Sequence, residues 1–192
     1  MSGRETTGRV DGELEIRGVG FQDATALGFM VYTALHQAPS APVIANELGD
    51  DLLGLGHDLV HGATYGEERI LVALAGGQPL GLVRVLPREF VRGAHIGIVQ
   101  VLVSLVARKR GVGSSLMEAL TRDPQTLGRF ERLEVTMTAH DLGLHGLIAA
   151  FNRRDSGDLW CRERVEIGGM RVDGTFDDVE TWVIDLASSP SP

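Results

Sequence analysis

Apolar residues along this chain switch between two spacings. In residues 13–19, Leu14 and Ile16 alternate with polar neighbours, the two-residue period of a strand. Residues 23–37 place Ala24, Leu27, Val31 and Leu35 at helical spacing, and Pro39 and Pro42 stop that helix. A second helical stretch is expected over 43–61, interrupted by Gly49, Gly54 and Gly56. Two strands follow, 69–75 and 79–86, and the Gly76-Gly77-Gln78 link between them signals a hairpin. After a mostly polar connection over 87–94, residues 95–106 form the longest β-branched run and read as a central strand buried on both faces. Residues 112–121 form an amphipathic helix with Leu116, Met117 and Leu120 inward, and Pro124 closes that region. A strand over 132–139 alternates Leu133, Val135 and Met137. A helix over 144–153 and two strands, 166–172 and 179–186, joined by a turn containing Asp173-Gly174, complete the pattern. The order is β-α-α-β-β-β-α-β-α-β-β, an α/β protein with a mixed sheet and not a repeating barrel.

Composition narrows the class. The 192 residues fit one domain over 13–186, with loose tails at 1–12 and 187–192. Cys161 is the sole cysteine, so neither an internal disulfide nor a cysteine zinc cluster can form. No apolar run reaches about 18 residues, and residues 1–9 lack the apolar centre of a leader, so cytoplasmic residence without a membrane span is expected. The net charge of -8 argues against nucleic acid and permits a cationic partner such as an amine. The basic side chains are seventeen Arg and one Lys, a bias that reads as coding history.

One segment carries chemistry. In 101–120, VLVSLVARKRGVGSSLMEAL, a buried strand runs through a loop into a helix. Gly111 and Gly113 let the backbone approach a ligand, and the helix start offers unpaired N–H groups and the positive end of a dipole. Arg108, Lys109 and Arg110 concentrate positive charge there, which suits a phosphate or diphosphate. Other phosphate signatures fit worse. Lys109 precedes the glycines where a Walker loop places its lysine after them, and Leu116 stands where a dinucleotide fingerprint needs a third glycine. On spacing and charge alone, an ordinary strand-to-helix turn with a solvated basic patch explains the segment equally well.

The run Arg108-Lys109-Arg110-Gly111-Val112-Gly113 resembles the [QR]-x-x-G-x-[GA] acyl-CoA loop of the GNAT N-acetyltransferase superfamily, and the element order over 13–186 is similar to the GNAT fold. The resemblance implies an acetyl-CoA-dependent N-acetyltransferase that needs no metal. It implies that the backbone of Val101, Leu102 and Val103 pairs with the pantetheine arm. It also implies that the N–H groups of Lys109, Arg110, Gly111, Val112, Gly113 and Ser114, with Arg108 opening the loop, bind the diphosphate. The strands over 99–106 and 132–139 would splay, and an acceptor amine would attack the thioester in a ternary complex. The chain departs from the family in two places: Leu105 replaces a common Pro, and Asn152 stands where many members carry a Tyr that protonates the leaving thiolate. Tyr65, Cys161 or solvent would then supply that proton. The missing Tyr motivates an alternative, an acyl-CoA-binding sensor or scaffold with little transfer.

Two residues are candidate bases. Glu134, in Leu133-Glu134-Val135, resembles a Leu-Glu-Val pattern in parts of the family; otherwise it is a solvent-facing strand residue. His95 stands two residues before the place where another branch carries Glu, here Gly97; its imidazole titrates near neutrality, and otherwise it is a strand-end residue in water. His140 and Asp141 follow the 132–139 strand near the expected cleft. Asp177 and Asp178, expected just before the last strand, suit a cationic substrate or plain turn chemistry. His57 and His61 share a helix face without further ligands, so a plain helix surface is expected. Cys161 reads as a partly buried structural thiol. The acceptor is read as an amine, possession of a cationic group being compatible with the acidic chain, and a homodimer is compatible with this reading.

Overall fold

The computed structural model describes residues 13–37, 52–66, 68–88, 93–154, 160–172 and 175–186. Its elements are β1 (Glu15–Gly18), α1 (Ala24–Gln37), α2 (Leu52–Tyr65), β2 (Arg69–Ala75), β3 (Gln78–Pro87), β4 (Ile96–Val103), α3 (Val112–Arg122), β5 (Arg132–Thr138), α4 (Leu142–Arg154), β6 (Cys161–Val172) and β7 (Thr175–Asp185). Single helical turns add Phe21–Asp23, Leu105–Ala107 and Pro124–Leu127. The order is the expected one, and the strands form a seven-stranded mixed sheet, β1-β2-β3-β4-β5-β7-β6.

Every neighbouring pair is antiparallel except β4 and β5. A parallel pair needs a crossover, and α3 supplies it. The two sheet faces carry separate cores. On one, Val83, Val85, Val99, Leu133, Val135 and Met137 pack with Leu116, Met117 and Leu120 of α3 and Ile148 and Phe151 of α4. On the other, Val72, Leu82 and Leu102 pack with Leu27, Met30 and Val31 of α1 and Leu55 and Leu59 of α2. Each such buried side chain contributes roughly 1.5–3 kcal/mol of transfer free energy.

Several boundaries differ from expectation for physical reasons. Gly54 and Gly56 do not interrupt a helix; they lie within α2. A Cβ on Gly56 would run into the carbonyl of Ala24, so the glycine lets α2 lie close against α1. The expected helical residues 43–51 and the turn at Asp173-Gly174 lie outside the described residues, as do both tails. The central strand ends at Val103, because Ser104 and Leu105 accept from Ala107 and Arg108 and wind the chain into a turn. Strands β6 and β7 start earlier than expected, so Asp177 and Asp178 lie inside β7. Polar residues on the edge strand, Arg162 and Glu163 among them, hide the two-residue period there. Asp123 caps the one-turn helix at Pro124, accepting from the Thr126 backbone at 2.9 Å.

Candidate active site

Strands β4 and β5 pair only at Ile96–Arg132, Gly97–Leu133 and Ile98–Glu134. Beyond Ile98 the ladder stops, while β4 continues to Val103 and β5 to Thr138. Among the described residues, no strand lies beside the backbone of 99–103 toward β5; toward β3 it stays paired through Val103. The closed end of this fork is tied by the His95 carbonyl, which accepts from the N–H of Glu131 at 2.9 Å and of Arg132 at 3.4 Å. Gly97 makes the closure tight: a Cβ there would stand 2.5 Å from Val85 Cγ1 and 2.9 Å from Leu133 Cδ2.

At the open end, β4 leads into the basic loop. Arg108, Lys109 and Arg110 are exposed. Lys109 takes a left-handed conformation at φ 59°, and Gly111 does so at φ 86°. Gly111 is the N-cap of α3 and no side chain caps that end; the first backbone bond of the helix is Ser115 N–H to Gly111 O. The N–H groups of Val112, Gly113 and Ser114 thus have no acceptor within the helix. Nothing lies within 4 Å of a Cβ built on Gly111, whereas one on Gly113 would meet Leu147 at 3.3 Å and Val103 at 3.5 Å. Three N–H groups without an acceptor in the helix, open space at Gly111, a helix dipole and three neighbouring basic residues together fit a diphosphate. The carbonyl of Val103 accepts from Arg108 Nε at 3.3 Å.

Glu134 sits at the last rung of the fork on the face of α1 and α2, since it pairs with Ile98, whose face also carries Leu102. It is 5% exposed, so the solvent-facing alternative does not hold. Its Oε1 lies 3.4 Å from Arg88 Nη1 and 3.8 Å from Arg132 Nε. Arg132 also reaches Glu163 and Asp185. His95 is exposed in the turn before β4, three residues outside the last rung, and its side chain is not brought to Glu134 by any described contact.

The other candidates are spread apart. Tyr65 is exposed at the end of α2, its ring near those of Phe21 and His61, toward the β1 edge of the sheet. His57 and His61 lie on the exposed surface of α2, and no group of three metal-ligating residues occurs among the described residues. Cys161 is exposed at the start of β6, contrary to the partly buried reading, because β6 is the sheet edge. Asn152 does not face the fork with a free amide. Its Nδ2 donates to the Trp160 carbonyl at 2.9 Å and its Oδ1 accepts the Trp160 N–H at 3.1 Å. Asp141 caps α4, accepting the Leu144 N–H at 3.0 Å.

Two arrangements were not legible in the pattern of residues. His140 Nδ1 lies 2.8 Å from Asp177 Oδ1 past the end of β5. Burial raises the Asp177 carboxyl, but hydrogen bonds from His140 and Thr138 outweigh it and hold the group below the ordinary carboxylate range. On the opposite face, Glu180 is likewise held low: burial opposes, and Trp182, Arg162 and His145 prevail. Gln100 is the second omission. It is the one polar residue inside the apolar run 96–103, and that isolation was its signal.

Residues 44–153, more than half of the chain, match the model of the Acetyltransferase (GNAT) family. Among solved structures, YncA from Salmonella typhimurium, a proposed acetyltransferase seen with its cofactor acetyl-CoA, superposes with TM-score 0.74 at 16% identity, covering 93% of this chain and 97% of that one. An N-acetyltransferase from Staphylococcus aureus Mu50 gives TM-score 0.73 at 16% identity, with 91% and 99% covered. Ribosomal-protein-alanine N-acetyltransferase from Brucella melitensis gives 0.71 at 21%, with 89% and 99% covered. At these identities the likeness is one of fold. No curated protein matches the sequence.

Proposed function

The chain belongs to the GNAT acetyltransferase family, and on that premise we propose that it transfers an acetyl group from acetyl-CoA to a primary amine of a small molecule or peptide. One observation carries the reading: the uncapped start of α3 at Gly111 opens beside the end of β4 where its ladder to β5 has stopped. That arrangement supports a reading with the diphosphate at one end of a strand segment and the thioester at the other. When bound, acetyl-CoA supplies an activated acyl group as its thioester, open to direct attack by an amine in a ternary complex.

The chain's own residues do the rest. The N–H groups of Lys109 to Ser114 hold the diphosphate, and the strand edge at Val101 to Val103 aligns the pantetheine arm as an added strand would be aligned. Of the two candidate bases, Glu134 is the better placed, since it stands at the rung where the fork opens. Arg88 and Arg132 orient its carboxylate, and it accepts the proton that an ammonium must lose before attack. His95, the other candidate base, lies outside that rung in an exposed turn. Asn152 is spent on the Trp160 backbone, so solvent protonates the departing thiolate.

That same commitment of Asn152 favours the second reading, an acyl-CoA sensor. Calorimetry with acetyl-CoA tests the shared premise: absence of heat and of thermal protection at millimolar ligand removes both. Free-thiol release with propylamine, spermidine or an N-terminal alanyl peptide separates them, since turnover with any of these rejects the sensor.

A further inference from the structure

Gln100 lies on β4 two residues beyond the last rung of the fork, opposite Arg84 of β3. Side chains alternate along a strand, so Gln100 shares a face with Ile98 and Leu102, and hence with Glu134. That face looks toward α1 and α2, away from α3 and α4. The side chain is only 8% exposed, yet its Oε1 has no hydrogen-bond partner among the described residues. Three of the nearby guanidinium nitrogens are already engaged. Arg84 gives Nε and Nη2 to Glu68 at 2.7 Å each, and Arg88 turns to Glu134.

A buried carbonyl oxygen without a donor is costly, and a leucine of nearly the same volume would fit this apolar strand without that cost. Such a group is explained when a ligand completes it. The ligand must bring an N–H or O–H donor to the first pleat above the fork, on the side away from the diphosphate loop. An attacking amine is a donor at that place in either protonation state.

We propose that Gln100 is the positioning residue for the acceptor: its Oε1 accepts one N–H of the amine and fixes the nitrogen above Glu134. The inference rests on the transferase reading given above. Gln100 moves no proton; the hydrogen bond limits where the nitrogen sits and which way its lone pair points, which is an orientation effect.

The test compares wild type with Gln100→Leu and Gln100→Glu, using whichever of propylamine, spermidine and the alanyl peptide the wild type acetylates fastest. Gln100→Leu is expected to raise KM for that amine at least tenfold, to leave the acetyl-CoA dissociation constant within twofold, and to raise the melting temperature. Gln100→Glu, which keeps an acceptor oxygen at the same reach, is expected to return the amine KM to within a few-fold of wild type. An unchanged amine KM in Gln100→Leu overturns the proposal alone. So does a lowered melting temperature with proportional loss of both affinities, which marks a structural role. A weakened acetyl-CoA with intact amine KM overturns it as well, by giving the oxygen to a pantetheine amide. If the wild type binds acetyl-CoA and releases no thiol with any of the three amines, the transferase reading itself fails and takes this inference with it.

Discussion

The side-chain amide of Asn152 closes a two-bond ring with the backbone of Trp160, donating to its carbonyl at 2.9 Å and accepting its N–H at 3.1 Å. Trp160 is almost fully buried, so both of its backbone groups depend on that amide. Asn152→Ala should therefore act on stability. Loss of two bonds with their partners left buried costs about 2 kcal/mol. Thermal unfolding should show the drop, while thiol release per folded molecule changes less than threefold. A large loss of kcat at unchanged stability would return Asn152 to the chemistry.

Gly111 and Gly113 should fail differently when substituted. Gly111 has open space but a positive φ, so Gly111→Val is strained by its backbone alone. Gly113 has ordinary helical geometry but close neighbours in Leu147 and Val103, so Gly113→Val pushes α3 from α4. Both should weaken acetyl-CoA at least tenfold by calorimetry. Only Gly113→Val should also disturb the methyl resonances of Leu147 and Val103.

Glu134→Gln keeps the shape of the side chain and removes its basicity. If Glu134 takes the proton, kcat/KM near neutral pH should fall about 100-fold or more. The acetyl-CoA dissociation constant should hold, because Glu134 lies on the face away from the loop helix. An unchanged pH–rate profile would reject the assignment.

Acid should unfold the protein partly through Asp123. Burial raises this carboxyl, but Arg69 and Thr126 together hold it below the ordinary value of 3.8. A folded-state pKa below the unfolded one gives stability that is complete above the unfolded value and disappears as pH falls through the folded one. Asp123→Asn should thus flatten the loss of stability below about pH 4. At pH 7 it should cost about 3 kcal/mol, since Arg69 is left without its 2.6 Å partner. Melting curves at several pH values read both effects.

What the sequence decided by itself is local. The two-residue and helical periods placed nearly every strand and helix, because burying one face requires that spacing whatever the neighbours are. The Arg108 to Gly113 loop was legible too, since its glycines, its basic run and the helix start adjoin one another in the chain. Separation in sequence concealed the rest. Gly56 looked like a helix breaker until α1 lay against it, and Cys161 looked half-buried until β6 proved to be the edge. Glu134 could be nominated from its neighbours, but its burial beside Arg88, forty-six positions away, depends on a parallel pairing that no local pattern encodes. The fork itself arises because the β4–β5 ladder ends after three rungs. At its closed end Gly97 lies against Val85, Leu133 and Phe130, side chains that only the folded chain brings together.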